Sequence, residues 1–162
     1  MEIEKKYKLS SFPTDLPLMK KSVQEQGYLS VTPAVRIRRE TGEDGVRYVL
    51  CVKGKGTLVR EEVEVDLTKE KFDKLHNLLC GPLIRKDYRV YALPDGHKLE
   101  CSLVDEGTDN SFYYAEVEFS SLEEAEAFVP PACLGEDITE KKGVSMSAFW
   151  QSSRVEGKKF VL

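Results

Sequence analysis

The chain has only two histidines, His76 and His97, a single tryptophan and four cysteines in 162 residues. No Cys, Asp or Ser stands at motif spacing from either histidine, so no nucleophilic triad is suggested. Cys51, Cys80, Cys101 and Cys133 are scattered, without zinc-ligand spacing or a CxxC pair. They are read as reduced, mostly buried thiols. No apolar run approaches a membrane span and the first residues are charged. No signal peptide or transmembrane segment is therefore expected, and the cytoplasm is the default compartment. Repeats, low-complexity tracts and linker-like stretches are also missing, which leaves one domain over 1–162. The "GKG" at 54–56 is too short for a P-loop and has no Ser or Thr directly after its lysine. A net charge of −4, from 24 basic and 28 acidic residues, argues against general nucleic-acid binding.

What is present is strand-like. Segments 2–9, 34–40, 46–53, 59–66, 85–92, 97–104 and 112–119 read as strands, with an eighth at 27–32. "TGEDGV" and "PDG" supply hairpin turns, and "KGKGT" precedes 59–66. Short connections of this kind give antiparallel pairs. "LTKEKFDKLHNLLCG" reads as a helix with Thr68 as N-cap, an apolar stripe of Phe72, Leu75 and Leu79, and Gly81 as the stop. "SSLEEAEAFVPP" offers Ser121 and Glu124 as a capping box before Pro130. "VSMSAFWQSSR" is a further helix, docked by Met146, Phe149 and Trp150. The fold class is α+β, an antiparallel sheet able to close into a barrel. His76 is expected at the surface or its boundary, and His97 exposed after a turn.

The charged residues follow the strand period. Glu2, Glu4 and Lys6 share one face of the first strand, with Ile3 and Tyr7 on the other. Arg36 and Arg38, Lys53 and Lys55, Arg60 with Glu62 and Glu64, Lys86, and Glu116 with Glu118 repeat the charge–x–charge theme. Any one strand of this kind reads as a wet face over a buried one. The collective pattern is different, because like charges side by side are destabilising unless an opposite partner intervenes. A metal ion offsets clustered carboxylates, and a polyanion offsets clustered Arg and Lys. Together they point to a metal-bound polyphosphate.

These residues carry a family resemblance. "EIEKKY" matches the ExExK signature that opens CYTH domains, also called triphosphate tunnel metalloenzymes. "QGYLS", "RIR", "VKGKG", "REEVEV", "PLIRK", "LPDG", "AEVEFSS" and "GEDITE" continue it in order over nearly the whole chain. The chain is most similar to the small bacterial members that hydrolyse inorganic triphosphate. The resemblance implies an eight-stranded antiparallel tunnel with helices packed outside. It implies that Glu2, Glu4, Glu116 and Glu118 hold Mg²⁺ or Mn²⁺. Lys6, Arg36, Arg38, Lys53, Lys55, Arg60 and Lys86 would bind phosphate. Glu62 and Glu64 match a third acidic pair, and one of them would orient the attacking water. With Lys6 they are the catalytic candidates.

There are departures from the family pattern. Tyr88 stands where relatives often have Arg; a one-residue slip would bring Arg89 inward as a further phosphate ligand. Ser102 replaces a frequent Asp, for which Asp105 is a substitute if the loop shifts. Gly143, Val144 and Met146 replace an Arg-Tyr pair and an Asn, leaving Lys141 or Lys142 to supply positive charge. The implied reaction is metal-dependent cleavage of triphosphate to diphosphate and phosphate. The alternatives are a class IV adenylate cyclase, a thiamine or nucleoside triphosphatase, or a non-catalytic polyphosphate- or nucleotide-binding module. The implied partner is a small polyanion, with no nucleic acid and no membrane, acting on a monomer or homodimer.

Overall fold

The computed structural model describes every residue, Met1 to Leu162. Its strands are β1 (Glu2–Leu9), β2 (Leu18–Val31), β3 (Ala34–Gly42), β4 (Gly45–Lys53), β5 (Val59–Arg60), β6 (Glu62–Leu67), β7 (Ile84–Ala92), β8 (Lys98–Val104) and β9 (Phe112–Glu118). All pairings are antiparallel, in the order β5-β1-β9-β8-β7-β2-β3-β4-β6. The ring closes through its two ends. β5 and β6 are consecutive pieces of one stretch of chain, broken at Glu61; β5 pairs with β1 and β6 with β4. Nine strands thus form a nearly closed barrel where eight were expected, because the closing strand is split.

The break has a local cause. The Glu61 carbonyl accepts a bond from Gly54 N (2.9 Å), which ties the kink to the preceding loop. Gly56 has φ +131°, and a Cβ there would meet the Val59 carbonyl oxygen at 2.1 Å, so only glycine fits this turn. Past Ile3, the free edge of β1 is covered by residues 135–139. Gly135 N donates to Lys8 O, Lys8 N to Glu136 O, and Ile138 N to Lys6 O. The Thr139 hydroxyl accepts from Lys6 N at 3.0 Å.

β2 is fourteen residues long, and its last part is the expected 27–32 segment without Thr32, which lies in the turn to β3. Its earlier half looks unlike a strand because the residues facing the barrel interior are polar: Ser22, Gln24 and Gln26 are all buried. The apolar residues point outward instead. The main core is Tyr7, Leu99, Cys101, Ala115 and Val117 on the outer face, covered by Ala125 and Phe128.

Three short helices pack outside. α1 (Lys69–His76) has its N-cap at Thr68 and seats Phe72, fully buried, on the sheet. Its C-cap is Asn77, four residues before Gly81, because Leu78 N and Leu79 N bond three residues back, to the Leu75 and His76 carbonyls, and tighten the chain out of the α-helix. α2 (Leu122–Ala127) is capped by Ser121 Oγ, but Glu124 returns its bond to Ser120 N rather than Ser121 N. α3 (Met146–Trp150) starts at Ser145 and runs into a π-helical turn over Gln151–Val155. No helix is long and apolar enough to cross a membrane. The four thiols are free; Cys51 and Cys101 are buried, Cys133 is half-buried and Cys80 is exposed. His97 is half-buried, not exposed, with its ring edge-on to Phe119 and Phe128.

Phe149 anchors α3 edge-to-face between Phe112 and Phe160 (5.1 and 5.0 Å between centroids) and is wholly buried. Phe149→Ala should cost about 3–5 kcal/mol of unfolding free energy, since the aromatic cluster cannot collapse onto the void. Urea denaturation checks this; a loss below about 1 kcal/mol would show that α3 does not rest on Phe149.

Candidate functional site

The register puts the charged residues inside. Glu4 lies opposite Glu118 and Lys6 opposite Glu116. Glu100 lies opposite Glu116, Arg60 opposite Glu2, and Lys53 opposite Glu62. Arg36 and Arg38 face Tyr28 and Gln26. Several of them line a cavity of about 560 Å³.

Its wall carries Lys6, Arg36, Arg38, Lys53, Arg60 and Lys86, with Glu4 and Glu116 among them. Lys55 stands at the mouth, fully open to solvent. Glu2, Glu62 and Glu118 do not line the cavity. Glu2 accepts from Lys53 Nζ at 3.1 and 3.3 Å and has Arg60 Nε at 3.5 Å. Glu62 Oε2 lies 3.4 Å from Lys53 Nζ but makes no hydrogen bond.

Two expected residues lie elsewhere. Arg89 faces outward, because β7 and β8 keep an unbroken register with Tyr88 opposite Ser102, and no slip occurs. It clasps Asp87 (2.9 and 3.3 Å) and stacks 3.9 Å over Phe12. Glu64 has the inward parity but lies off the cavity, paired with Arg47 at 3.2 Å in a solvent-open position. Asp105 does not replace Ser102; its carboxylate is held by Arg154 at 2.7 Å.

Sequence reasoning missed Tyr114 and Gln26. Lys86 Nζ donates to the Tyr114 hydroxyl at 2.9 Å, and Lys6 Nζ lies 4.4 Å over its ring. Tyr114 shares strand parity with Glu116 and Glu118, so that signal was available. Gln26 Oε1 accepts twice from Arg38 (2.8 and 3.1 Å); it fell outside the segment read as a strand. Lys141 and Lys142, and the segment through Ser147, also reach the cavity. Lys6 Nζ donates to Val144 O of that segment at 2.8 Å.

Electrostatics separates these groups. Burial lowers Lys6 and holds Lys86 well below its usual value, and the Arg38 charge adds to the effect on Lys86. Neither amine has a salt-bridge partner, so an anion placed between them would restore the charged form. On the carboxylate side, burial raises Glu4 well above the usual range, and repulsion from Glu116 adds to it. Burial would raise Glu116 too, but a hydrogen bond from Glu4 and the charges of Lys6, Lys53 and Lys86 pull it down to about 2. The two carboxylates thus oppose each other's ionisation, and a cation beside them would relieve that. Carboxylate oxygens of Glu2, Glu4 and Glu118 converge within 4.8 Å of one another. A hard divalent cation suits this all-oxygen donor set. Cys51, Glu62 and Glu64 converge equally closely, but the thiol in that set is a soft donor that suits hard divalent cations less well.

Comparison with known proteins agrees with the geometry. The chain is 34% identical over 145 residues to an inorganic triphosphatase of Nitrosomonas europaea, covering 87% of this chain and 91% of that one. The crystal structure of the inorganic triphosphatase NE1496 superposes with a TM-score of 0.64 at 29% identity, covering 92% of this chain and 93% of that chain. The PH1819 protein from Pyrococcus horikoshii, at 20% identity and a TM-score of 0.55 over 78% of this chain and 82% of that one, shares the fold. No family model matches the chain.

Deeper in the barrel, Glu100 accepts a hydrogen bond from Tyr88. Burial, with the Glu116 charge, raises its carboxyl to about 7 against this bond. A carboxyl raised in the fold favours folding below its unfolded value of 4.5, an advantage lost as pH climbs through about 7. In the metal-free protein, raising the pH from about 5 to about 8 should therefore destabilise wild type relative to Glu100→Gln by about 1–3 kcal/mol. Denaturant titrations at both pH values check this; a constant difference would place Glu100 in a solvated site.

Proposed function

The chain belongs to the inorganic triphosphatases of the triphosphate tunnel family, and from that premise we propose how its cavity binds and cleaves inorganic triphosphate. The observation that carries this reading is the meeting of buried cations that have no salt-bridge partner, Lys6 and Lys86, with the buried, crowded carboxylates Glu4 and Glu116 around one cavity.

Arg36 and Arg38 form successive rungs of β3 and grip phosphate oxygens through their planar forks. Lys6 and Lys86 serve as point charges on either side of Tyr114. Each charge-assisted bond contributes on the order of 1.5–3 kcal/mol. Lys53 and Arg60 turn between Glu2 and the substrate. Glu2, Glu4, Glu116 and Glu118 would hold Mg²⁺ or Mn²⁺, which when bound supplies charge neutralisation at the phosphate oxygens and polarises water.

In the reaction, a water oxygen bonds to the terminal phosphorus and the bridging P–O bond breaks, releasing diphosphate. We assign the water's proton to Glu62. Its carboxylate lies 3.4 Å from Nζ of Lys53, a residue of the cavity wall, and its Oε2 makes no hydrogen bond, whereas Glu64 is engaged by Arg47 in a solvent-open position. Pre-positioned cations meet the charge on the leaving diphosphate without rearranging. The two aromatic residues of the cavity lining, Tyr28 and Tyr114, are buried in its wall and offer no exposed ring to stack a base, which favours an inorganic substrate over a nucleotide.

Tripolyphosphate, ATP and thiamine triphosphate should be compared with Mg²⁺ and Mn²⁺, with all products identified. Tripolyphosphate should be cleaved to diphosphate and phosphate. Cyclic AMP from ATP would instead indicate the cyclase reading, and binding without phosphate release a non-catalytic module. Excess chelator should abolish turnover, as should Glu4→Gln and Arg38→Ala; a wild-type rate in either variant removes its assigned role.

Glu62→Gln should lower kcat by about 10²–10⁴-fold with a smaller change in KM. An equal loss in Glu64→Gln would refute the choice between them.

A further inference from the structure

The cavity is larger than its innermost charges require. At about 560 Å³, it falls within the range that takes a drug-sized ligand. A triphosphate held by Arg36, Arg38, Lys6 and Lys86 would leave its outer part open. Around that outer part stand three lysines, Lys55, Lys141 and Lys142, all exposed and without an acidic partner. The lining residues beside them include the neutral Val31, Pro33, Ser145, Met146 and Ser147, and the nearby Glu140 carboxylate is turned onto the Thr57 hydroxyl and is not part of the lining.

The three lysines are held in place. Lys55 lies in the 54–57 loop, and Lys141 and Lys142 lie in the segment leading to α3. The two are fastened across the mouth by the Thr57 hydroxyl, which donates to Glu140 at 2.6 Å. The second segment is also pinned to the tunnel wall by the bond from Lys6 Nζ to Val144 O. The rim is therefore a built feature, continuous with the inner basic wall through Lys53 and Arg60.

Resting on the assignment of the inner cavity to triphosphate, we propose that this rim is an outer phosphate subsite, and that the substrate class extends to linear polyphosphates of four or more phosphates. A fourth phosphate carries its negative charge outward along the chain axis, where the lysines meet it. A neutral extension, such as ribose and base, gains nothing from three cations and finds no aromatic surface to stack on.

The test compares linear tetrapolyphosphate with tripolyphosphate at one fixed ionic strength, in wild type, Lys141→Gln/Lys142→Gln and the charge-preserving Lys141→Arg/Lys142→Arg. Wild type should process tetrapolyphosphate with a kcat/KM at least equal to that for tripolyphosphate. The Gln pair should lower the tetra-to-tri ratio about tenfold, and the Arg pair should restore it. Equal losses on both substrates would mean that the lysines only attract anions from solution, and would overturn the subsite. If neither compound is cleaved with Mg²⁺ or Mn²⁺, the triphosphatase reading fails. Calorimetric titration of both polyphosphates onto the same three proteins then decides the subsite alone, by the same affinity ratio.

Discussion

The molecule depends on an unfavourable placement: carboxylates and ammonium or guanidinium groups buried together inside a barrel. A buried charge without a partner is among the most costly features of a fold. Here the cost is divided. Glu2, Lys53, Arg60 and Glu62 neutralise one another near one wall. Burial and the Glu116 charge raise Glu4, neighbouring lysines hold Glu116 low, and burial lowers Lys6 and Lys86. The interior by itself is thus biased against the charges that it would use. A polyanion and a cation entering together relieve both sides, so binding free energy goes into re-ionising groups that already point at the ligand.

Such an interior needs stability from elsewhere. The apolar side chains have moved to the outer face, where Tyr7, Leu99, Ala115 and Val117 pack under α2 and Phe128. The barrel is a shell with its core on the outside. The same inversion explains the position of α3. Phe149 and Trp150 are buried against the β2, β7 and β9 side, and the residues just before the helix reach the cavity mouth. Packing energy gained outside the wall therefore positions polar atoms inside it: Val144 O on Lys6, and Ser145 and Ser147 at the rim.

Much of this was legible in the sequence, because strand parity is unforgiving: a shift of one residue turns every side chain to the other face. Glu2, Glu4 and Lys6, then Arg36 and Arg38, then Glu116 and Glu118, could only face inward together. The first half of β2 was not legible, since Ser22, Gln24 and Gln26 erase the apolar alternation by which strands are recognised. The split of the closing strand was hidden for another reason. It depends on Gly54 bonding Glu61 and on the steric demand at Gly56, which are contacts rather than patterns. Arg89 was misread inward because a bulge was invoked to preserve a charge, while the β7–β8 ladder has none.

The departures at Tyr88 and Ser102 bear on whether the cavity still works. These positions lie directly opposite each other, where relatives often carry Arg and Asp. In this chain both positions are neutral, and the Tyr88 hydroxyl donates to Glu100. A buried carboxylate at Ser102 without a cation opposite it would be costly, so two neutral residues are compatible with each other there. Neither residue lines the cavity, so neither takes a cation from the walls that face the ligand. The basic residues of β1, β3, β4 and β7 that do line it, Lys6, Arg36, Arg38, Lys53 and Lys86, are all present.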